Sequence, residues 1–525
     1  MRVHNTALDR GRAILVSVSR LGVLLALGGC AVGPTFKTPQ ATVNESWRLE
    51  SDPHLSTQTA SDSLWWRTFG DSALDRLVEL AYRQNLPLQI AGLRIVEARA
   101  QLAVVTGKQY PQIQMATASA TALGISENVV NIPNLPRHFG TYQVGFDAAW
   151  ELDFWGKYRR GVEAEAATLL GSVADYDSAL VSLIAEVART YVVVRTFEVL
   201  IAQTQENVRV QEQALEIAES RFRNGATSEL DPTQATSLLQ STRASIPQLT
   251  TGLEQARNAL STLLGQPPGT VNALLAGPKE IPKAPEKVFV GVPAEMLRRR
   301  PDIRSAELLA AAQCARIGVA KAELYPSFSI LGTIGLQAST APTVSHNLFT
   351  PNALTYAIGP QINWPFLNYG RLTNGVRVED ARFQELLVGY RDTVLKAAQE
   401  VEDALTGFIN AEATMVLEQA AVVAAARSVE IALAQYREGA VDYQRVLDAE
   451  RSLLQQQNSL AQTRSSAVTD AIALYKALGG GWELRQGQPV IPAETEREMK
   501  ERTNWGDLLS QPRAPEKTEN QAEKH

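Results

Sequence analysis

The sequence predicts a mainly α-helical protein that also carries membrane β-strands, built as a tandem repeat of one unit. Three observations carry this. "FRNGATSELDPTQATSLL" from Phe222 is answered by "YREGAVDYQRVLDAERSLL" from Tyr436, 214 residues on. Apolar heptads run unbroken through each copy, and each copy holds segments of about ten residues that alternate apolar with polar. Composition agrees: 45% of the 525 residues are hydrophobic but only 6% aromatic, which favours long helices packed on small side chains.

Residues 1–29 read as a secretory signal, with Arg2, Arg10, Arg12 and Arg20 ahead of "LGVLLAL", a run too short to span a bilayer. "LGGC" ends at Cys30 and resembles a bacterial lipobox. That resemblance implies a lipidated Cys30, whose several acyl chains anchor stably where one chain does not. Ala31 follows where Asp commonly marks inner-membrane retention, which favours the outer membrane. Losing the signal takes the net charge from −6 to −9, which argues against a nucleic-acid partner. Cys314, in "AAAQCARIG", has no partner cysteine once Cys30 is acylated, so it is expected as a buried helical thiol and no disulfide framework exists.

After a lipidated N-terminal segment, 30–84, repeat 1 covers 85–265. A Pro-rich linker, 266–297, leads to repeat 2, 298–481, and a charged tail, 482–525, is expected to be disordered. "NLPLQIAGLRIVEARAQLAVVTGKQYPQIQ" from Asn85 meets "RPDIRSAELLAAAQCARIGVAKAELYPSFS" from Arg300 at an offset of 215. The offset becomes 214 where "YQVGFDAAWELDFWGKYRRG" from Tyr142 meets "YAIGPQINWPFLNYGRLTNG" from Tyr356, a one-residue change expected in the intervening loop.

Strands are expected at about 112–122, 141–152, 327–338 and 353–366. In the second, Tyr142, Val144, Phe146, Ala148, Trp150 and Leu152 share one face. A stripe stepping by three and four runs from Val173 to Phe222, and its copy from Leu387 to Tyr436. Seven heptads predict coiled-coil packing in a helix over 157–223, about 100 Å long at 1.5 Å per residue. Gly225 and Gly439 stop the long helices, and Asp231 with Pro232 reads as N-cap and first residue of a returning helix. Each repeat therefore contains a helical hairpin with a glycine tip.

Four strands cannot close a barrel, and lipid does not tolerate open edges, so two or three copies must share one. "CAVGPTFKTP" from Cys30, "WWRTFGDSALDRLVELAYRQNLPLQIA" from Trp65, "RRRPDIRSAE" from Arg298 and the "EGAVDYQRVLDAERSLL" tip resemble the outer membrane factors, the TolC-like efflux channels, nearest their lipoprotein NodT-like branch. The resemblance runs from Cys30 to about Gly481. It implies a homotrimer whose protomers form a 12-stranded outer-membrane β-barrel and a long periplasmic α-helical barrel. It also implies docking to a periplasmic adaptor and an inner-membrane pump that expels drugs or other toxic solutes, with no cofactor and no catalytic site.

By position in that family's tip, Asp448 is expected to form an acidic gate ring, with Arg451 and Tyr443 as helix-latching neighbours. Gln444 stands where a leucine often lies, so a further apolar ring is not expected. Gly225, Ala226, Gly439 and Ala440 mark the tips an adaptor would meet. Arg300, Pro301 and Asp302 form a family motif with an expected structural role: Pro301 and Asp302 suit a helix start, and Arg298–Arg300 reads as a solvated face. Residues 122–140 and 339–353 are expected as loops outside the cell. The five histidines are scattered and no metal spacing, nucleophile elbow or phosphate loop appears. The competing readings are a type I protein-secretion channel and a non-transporting envelope coiled-coil lipoprotein.

Overall fold

The computed structural model describes residues 31–56, 63–128, 136–277, 279–341 and 346–509. The signal, Cys30, the tail beyond Leu509 and parts of both expected external loops lie outside the described residues. Repeat 1 runs α1 (Ser72–Gln84), α2 (Leu86–Gly107), β1 (Ile113–Gly124), β2 (His138–Leu152), α3 (Lys157–Arg223) and α4 (Leu230–Leu263). Repeat 2 runs α5 (Pro293–Arg299), α6 (Pro301–Ala322), β3 (Ser327–Ser339), β4 (Leu354–Asn363), α7 (Arg371–Arg437) and α8 (Tyr443–Ala477), and α9 (Ala493–Arg502) follows. The chain divides into two units, one of Met1–Pro39, Glu97–Gly171 and Glu307–Gly389, the other of the remainder.

The first unit holds a four-stranded antiparallel sheet in the order β1-β2-β3-β4. Directly paired residues share a face. The register therefore puts Ala116, Ala118 and Ala120 beside Phe146, Val144 and Tyr142, and these beside Ile334, Leu336 and Ala338. Phe146, Ile334, Tyr356, Ile358 and Ile362 stand exposed on that face, where a lipid-facing surface is expected. Asp147, Thr333 and Gln361 occupy the other, and Thr117 donates to Asp147 at 3.1 Å. Among the described residues no helix is long and apolar enough to cross a membrane.

The one-residue change between repeats falls before the strand, which corrects the expectation that it lies in the loop behind. β1 begins three residues after Tyr110, β3 two after Tyr325. The extra residue is Gln112. Its amide stands in for a ladder residue, accepting from Glu151 N at 2.7 Å and donating to Glu151 O at 3.2 Å.

The N-terminal segment lies along this unit. Val32 N donates to Trp155 O at 3.0 Å, and Gly33, at φ +107°, crosses Gly318 so closely that a Cβ would meet its Cα at 2.5 Å. Cys314 is buried, its Sγ donating to Pro34 O at 3.8 Å, and burial pushes its thiol pKa up.

In the second unit the apolar stripe of α3 turns inward, with Leu180, Val187, Val194 and Ala218 buried. The linker is tied down: Val288–Phe289 pairs in parallel with Leu55–Ser56, and Trp47 Nε1 donates to Gly291 O at 3.1 Å. The expected disorder of the tail fails as far as Leu509. Ile491, Met499 and Leu509 bury themselves against Val96, and residue 490 passes so close to Gly92 that a Cβ would lie 2.0 Å from Val490 O. A few well-spaced apolar residues thus order a mostly charged segment by covering α2.

Candidate functional site at the hairpin tips

Each long helix ends in the same way because each has a glycine at the same place. Gly225 (φ +72°) and Gly439 (φ +80°) take the left-handed conformation. Ala226 N reaches back to Arg221 O and Ala440 N to Gln435 O, each at 2.9 Å, with the glycine N–H on the carbonyl three residues earlier. This is the Schellman arrangement, which satisfies carbonyls a helix end leaves bare.

Behind the turns the two hairpins share a core of Ala214, Ala218, Ala235, Leu238, Ala432, Tyr436, Tyr443, Val446 and Leu447. Tyr436 is its hub. Its ring meets Tyr443 edge-on at 5.3 Å, and the Arg221 guanidinium sits over its face at 4.7 Å. Arg221 also donates to the carbonyls of Tyr436 and, at 3.3 Å, Arg437. The Tyr436 hydroxyl donates to Asp231 Oδ2 at 2.8 Å, and Thr227 donates to the same oxygen. Burial, then the Asp231 carboxylate, pushes the Tyr436 pKa up, so the hydroxyl keeps the proton it donates.

Asp231 therefore does not cap α4, which starts at Leu230 with Glu229 before it. The capping pattern was readable, but a carboxylate recruited by a side chain 205 residues away was not. Of the expected gate residues, Asp448 and Arg451 lie exposed on one face of α8 with Gln444, whose amide donates to Asp448 Oδ1 at 2.8 Å. Tyr443 is on another face, buried in the shared core. The chain thus brings Asp448 and Gln444 together and separates Tyr443 from both. Gly225, Ala226, Gly439 and Ala440 all lie exposed in the turns.

One residue of this region went unnoticed in the sequence. Glu450 is 4% exposed, and neither carboxylate oxygen has a partner among the described residues. Desolvation alone pushes its pKa up to about 7. The signal was there to read: Tyr443, Val446, Glu450 and Leu453 step by three and four, so an acid sits in an apolar seam.

The Arg-Pro-Asp motif departs from its expected solvated face. Arg300 is 7% exposed, donating to Ala477 O, Asp302 Oδ2 and Glu400 Oε2, each at 2.7 Å. Pro301 opens α6 as expected. The motif clamps the start of α6 to the end of α8, and only Arg298 of the cluster is exposed.

The sequence matches the outer membrane efflux protein family over residues 77–266 and 292–480, a match in two halves that mirrors the two repeats. The chain belongs to the outer membrane efflux protein family. The cation efflux system protein CusC of Escherichia coli is 29% identical over 462 residues, covering 88% of this chain and 98% of CusC. Nodulation protein T of Rhizobium leguminosarum bv. trifolii is 29% identical over 458 residues, covering 87% and 96%. The solved outer-membrane channel OprN superposes with a TM-score of 0.80 at 32% identity, covering 86% of this chain and all of OprN. The fold is thus the TolC-like one, and this efflux protein is a channel component of the outer membrane, not an enzyme.

Proposed function

We propose that this efflux protein is the outer channel of a tripartite export system, passing drugs or other toxic small solutes from a periplasmic adaptor and an inner-membrane pump to the exterior. The observation that carries the reading is the sheet: four strands, an apolar outer face and two open edges. Such edges persist in lipid only if other copies pair with them, and three copies give a closed 12-stranded barrel. Lipid on Cys30 anchors each protomer. The linked chain Ala31–Val32 lies against Gly156 and Trp155 at the end of β2, which supports an anchor beside the barrel.

The tips hold the gate. Three Asp448 carboxylates converging on the axis repel one another, so protonation or a cation eases closure, with Arg451 and Gln444 on the same face to share the charge. Tyr443 contributes from the hairpin core, through Tyr436. Gly225, Ala226, Gly439 and Ala440 form the surface the adaptor meets. The test is native mass of the detergent-solubilised mature protein followed by bilayer conductance. A trimer bearing acyl mass on each chain, with Asp448→Ala conducting more than wild type, is expected. A monomer, or conductance identical in the variant, overturns the channel or the gate reading respectively.

A further inference from the structure

We infer the register in which neighbouring copies join: β4 of one copy pairs antiparallel with β1 of the next, with Ile362 opposite Ala118. The inference rests on the trimer reading above and goes beyond it by naming the residues in contact.

The chain contains a template for this joint. β2 is the second strand of repeat 1 and β3 the first strand of repeat 2, so their pairing is already a repeat-to-repeat junction. It runs from Thr141↔Ser339 to Leu152↔Phe328, every pair of numbers adding to 480. Within the repeats, Ile113↔Ala149 answers Ser327↔Asn363, so the strands correspond at an offset of 214. Carrying β2 forward to β4 and β3 back to β1 by that offset leaves the sum unchanged. The joint is then Ile362 on Ala118, Pro360 on Ala120 and Ile358 on Ala122, with Gln361 on Ser119 on the other face.

Two independent features fit this register. The first is size. On the apolar face β1 offers only alanines at 116, 118, 120 and 122, while Tyr356, Ile358 and Ile362 of β4 are bulky and exposed. Inside the chain Ala116, Ala118 and Ala120 already lie beside Phe146, Val144 and Tyr142 of β2. A row of small side chains between two rows of large ones packs, and a slip of one residue would turn every β4 side chain to the wrong face.

The second is the corner after each repeat's last strand. In repeat 1, Trp155 stacks on Tyr325 at 4.6 Å and donates to Pro326 O at 2.7 Å. Its counterpart in repeat 2, Tyr369, is 98% exposed and held at φ +50°, a conformation few side chains adopt. The counterpart of Tyr325 is Tyr110, 65% exposed. Among the described residues, the corner that repeat 2 fills for repeat 1 has no filler for repeat 2 itself, and the Tyr110–Pro111 corner of the neighbouring copy supplies it.

Cysteine pairs in the full-length protein with Cys314→Ser test this. Ala118→Cys with Ile362→Cys, and Ser119→Cys with Gln361→Cys, sample both faces, since only one class of antiparallel pair brings Cα atoms closest. After oxidation, at least one pair is expected to give reducible covalent dimers and trimers, with no such species from either single cysteine. Ala120→Cys with Ile362→Cys, displaced by two residues, is expected to stay uncrosslinked. Native mass is read on every variant. A native trimer that crosslinks only in the displaced pair, or in none, overturns the register and leaves the channel reading standing. A monomeric wild type overturns both.

Discussion

The two long helices α3 and α7 are copies of one another, 67 residues each, yet the chain treats them differently. Both bury the heptad seam, through Leu180, Val187 and Val194 in α3 and Val394, Val401 and Phe408 in α7. Among the described residues the flanks of α3 are the more heavily tied down. Tyr191 donates to Asp71 at 2.5 Å, the Arg195 guanidinium reaches Tyr191, Glu198 and the linker carbonyl of Leu275, and Arg485 clamps Asp177. On α7, Leu395, Val416, Leu417, Val423 and Ile431 remain exposed. The N-terminal segment, linker and C-terminal segment reach the first copy through Asp71, Leu275 and Arg485, whereas the second copy receives less, Arg48 N donating to Glu402 at 3.0 Å. Duplication supplies two equal helices, and the unrepeated parts of the chain make them unequal.

The sharpest way to break this asymmetry is inside the α3 cluster. Arg195→Met leaves the Glu198 carboxylate, 6% exposed, with Arg257 as its remaining partner. A loss of about 3 kcal/mol is expected in denaturant unfolding followed by helical circular dichroism. Replacing Val416, Leu417 and Val423 together by Ser on α7 is expected to leave the single chain's helicity intact and lower the native mass of the assembly. An intact trimer in that variant would show that this face is not where copies meet.

At the tip, Glu450→Gln probes a buried charge. With its pKa raised from 4.5 to about 7, the fold holds the proton more tightly than the unfolded chain does. Stability from this group is therefore full below about pH 4.5 and falls as pH rises through the window up to about 7. Above it, the Gln variant is expected to be more stable by about 3 kcal/mol, and equal to wild type at pH 4. A difference that does not vary with pH would reject the assignment. Tyr436→Phe removes one hydrogen bond to Asp231, with an expected cost of about 1 kcal/mol and an increase in conductance as the hairpins loosen. Asp448→Ala comes last: an exposed residue, it is expected to shift stability by less than about 0.5 kcal/mol, so any change in its conductance reports on the pore and not on the fold.

Much of this was legible beforehand where the signal is local or periodic. The heptads placed α3 and α7, Gly225 and Gly439 placed the tips, and alternation placed the strands, because each pattern is set by backbone geometry that a few neighbouring residues dictate. The candidate site was legible only in part. Asp448 and Gln444 are one helical turn apart and share a face by periodicity alone. Tyr436 with Asp231, and Arg221 with the end of α7, are joined across the fold, and nothing in either stretch of sequence names the other.

The sequence by itself determined that one unit is used twice, that it alternates strands with very long helices, and that its strands are too few to close alone. Tertiary structure decided how the copies diverge. It buried Arg300 against Ala477, ordered the charged tail as far as Leu509 on α2, sank Glu450 into an apolar seam, and moved the repeat shift to Gln112. The physical reason is one of range. Periodicity fixes what a segment is, whereas a charge's burial or an acid's partner depends on which distant segment covers it, and that is settled only when the chain has folded.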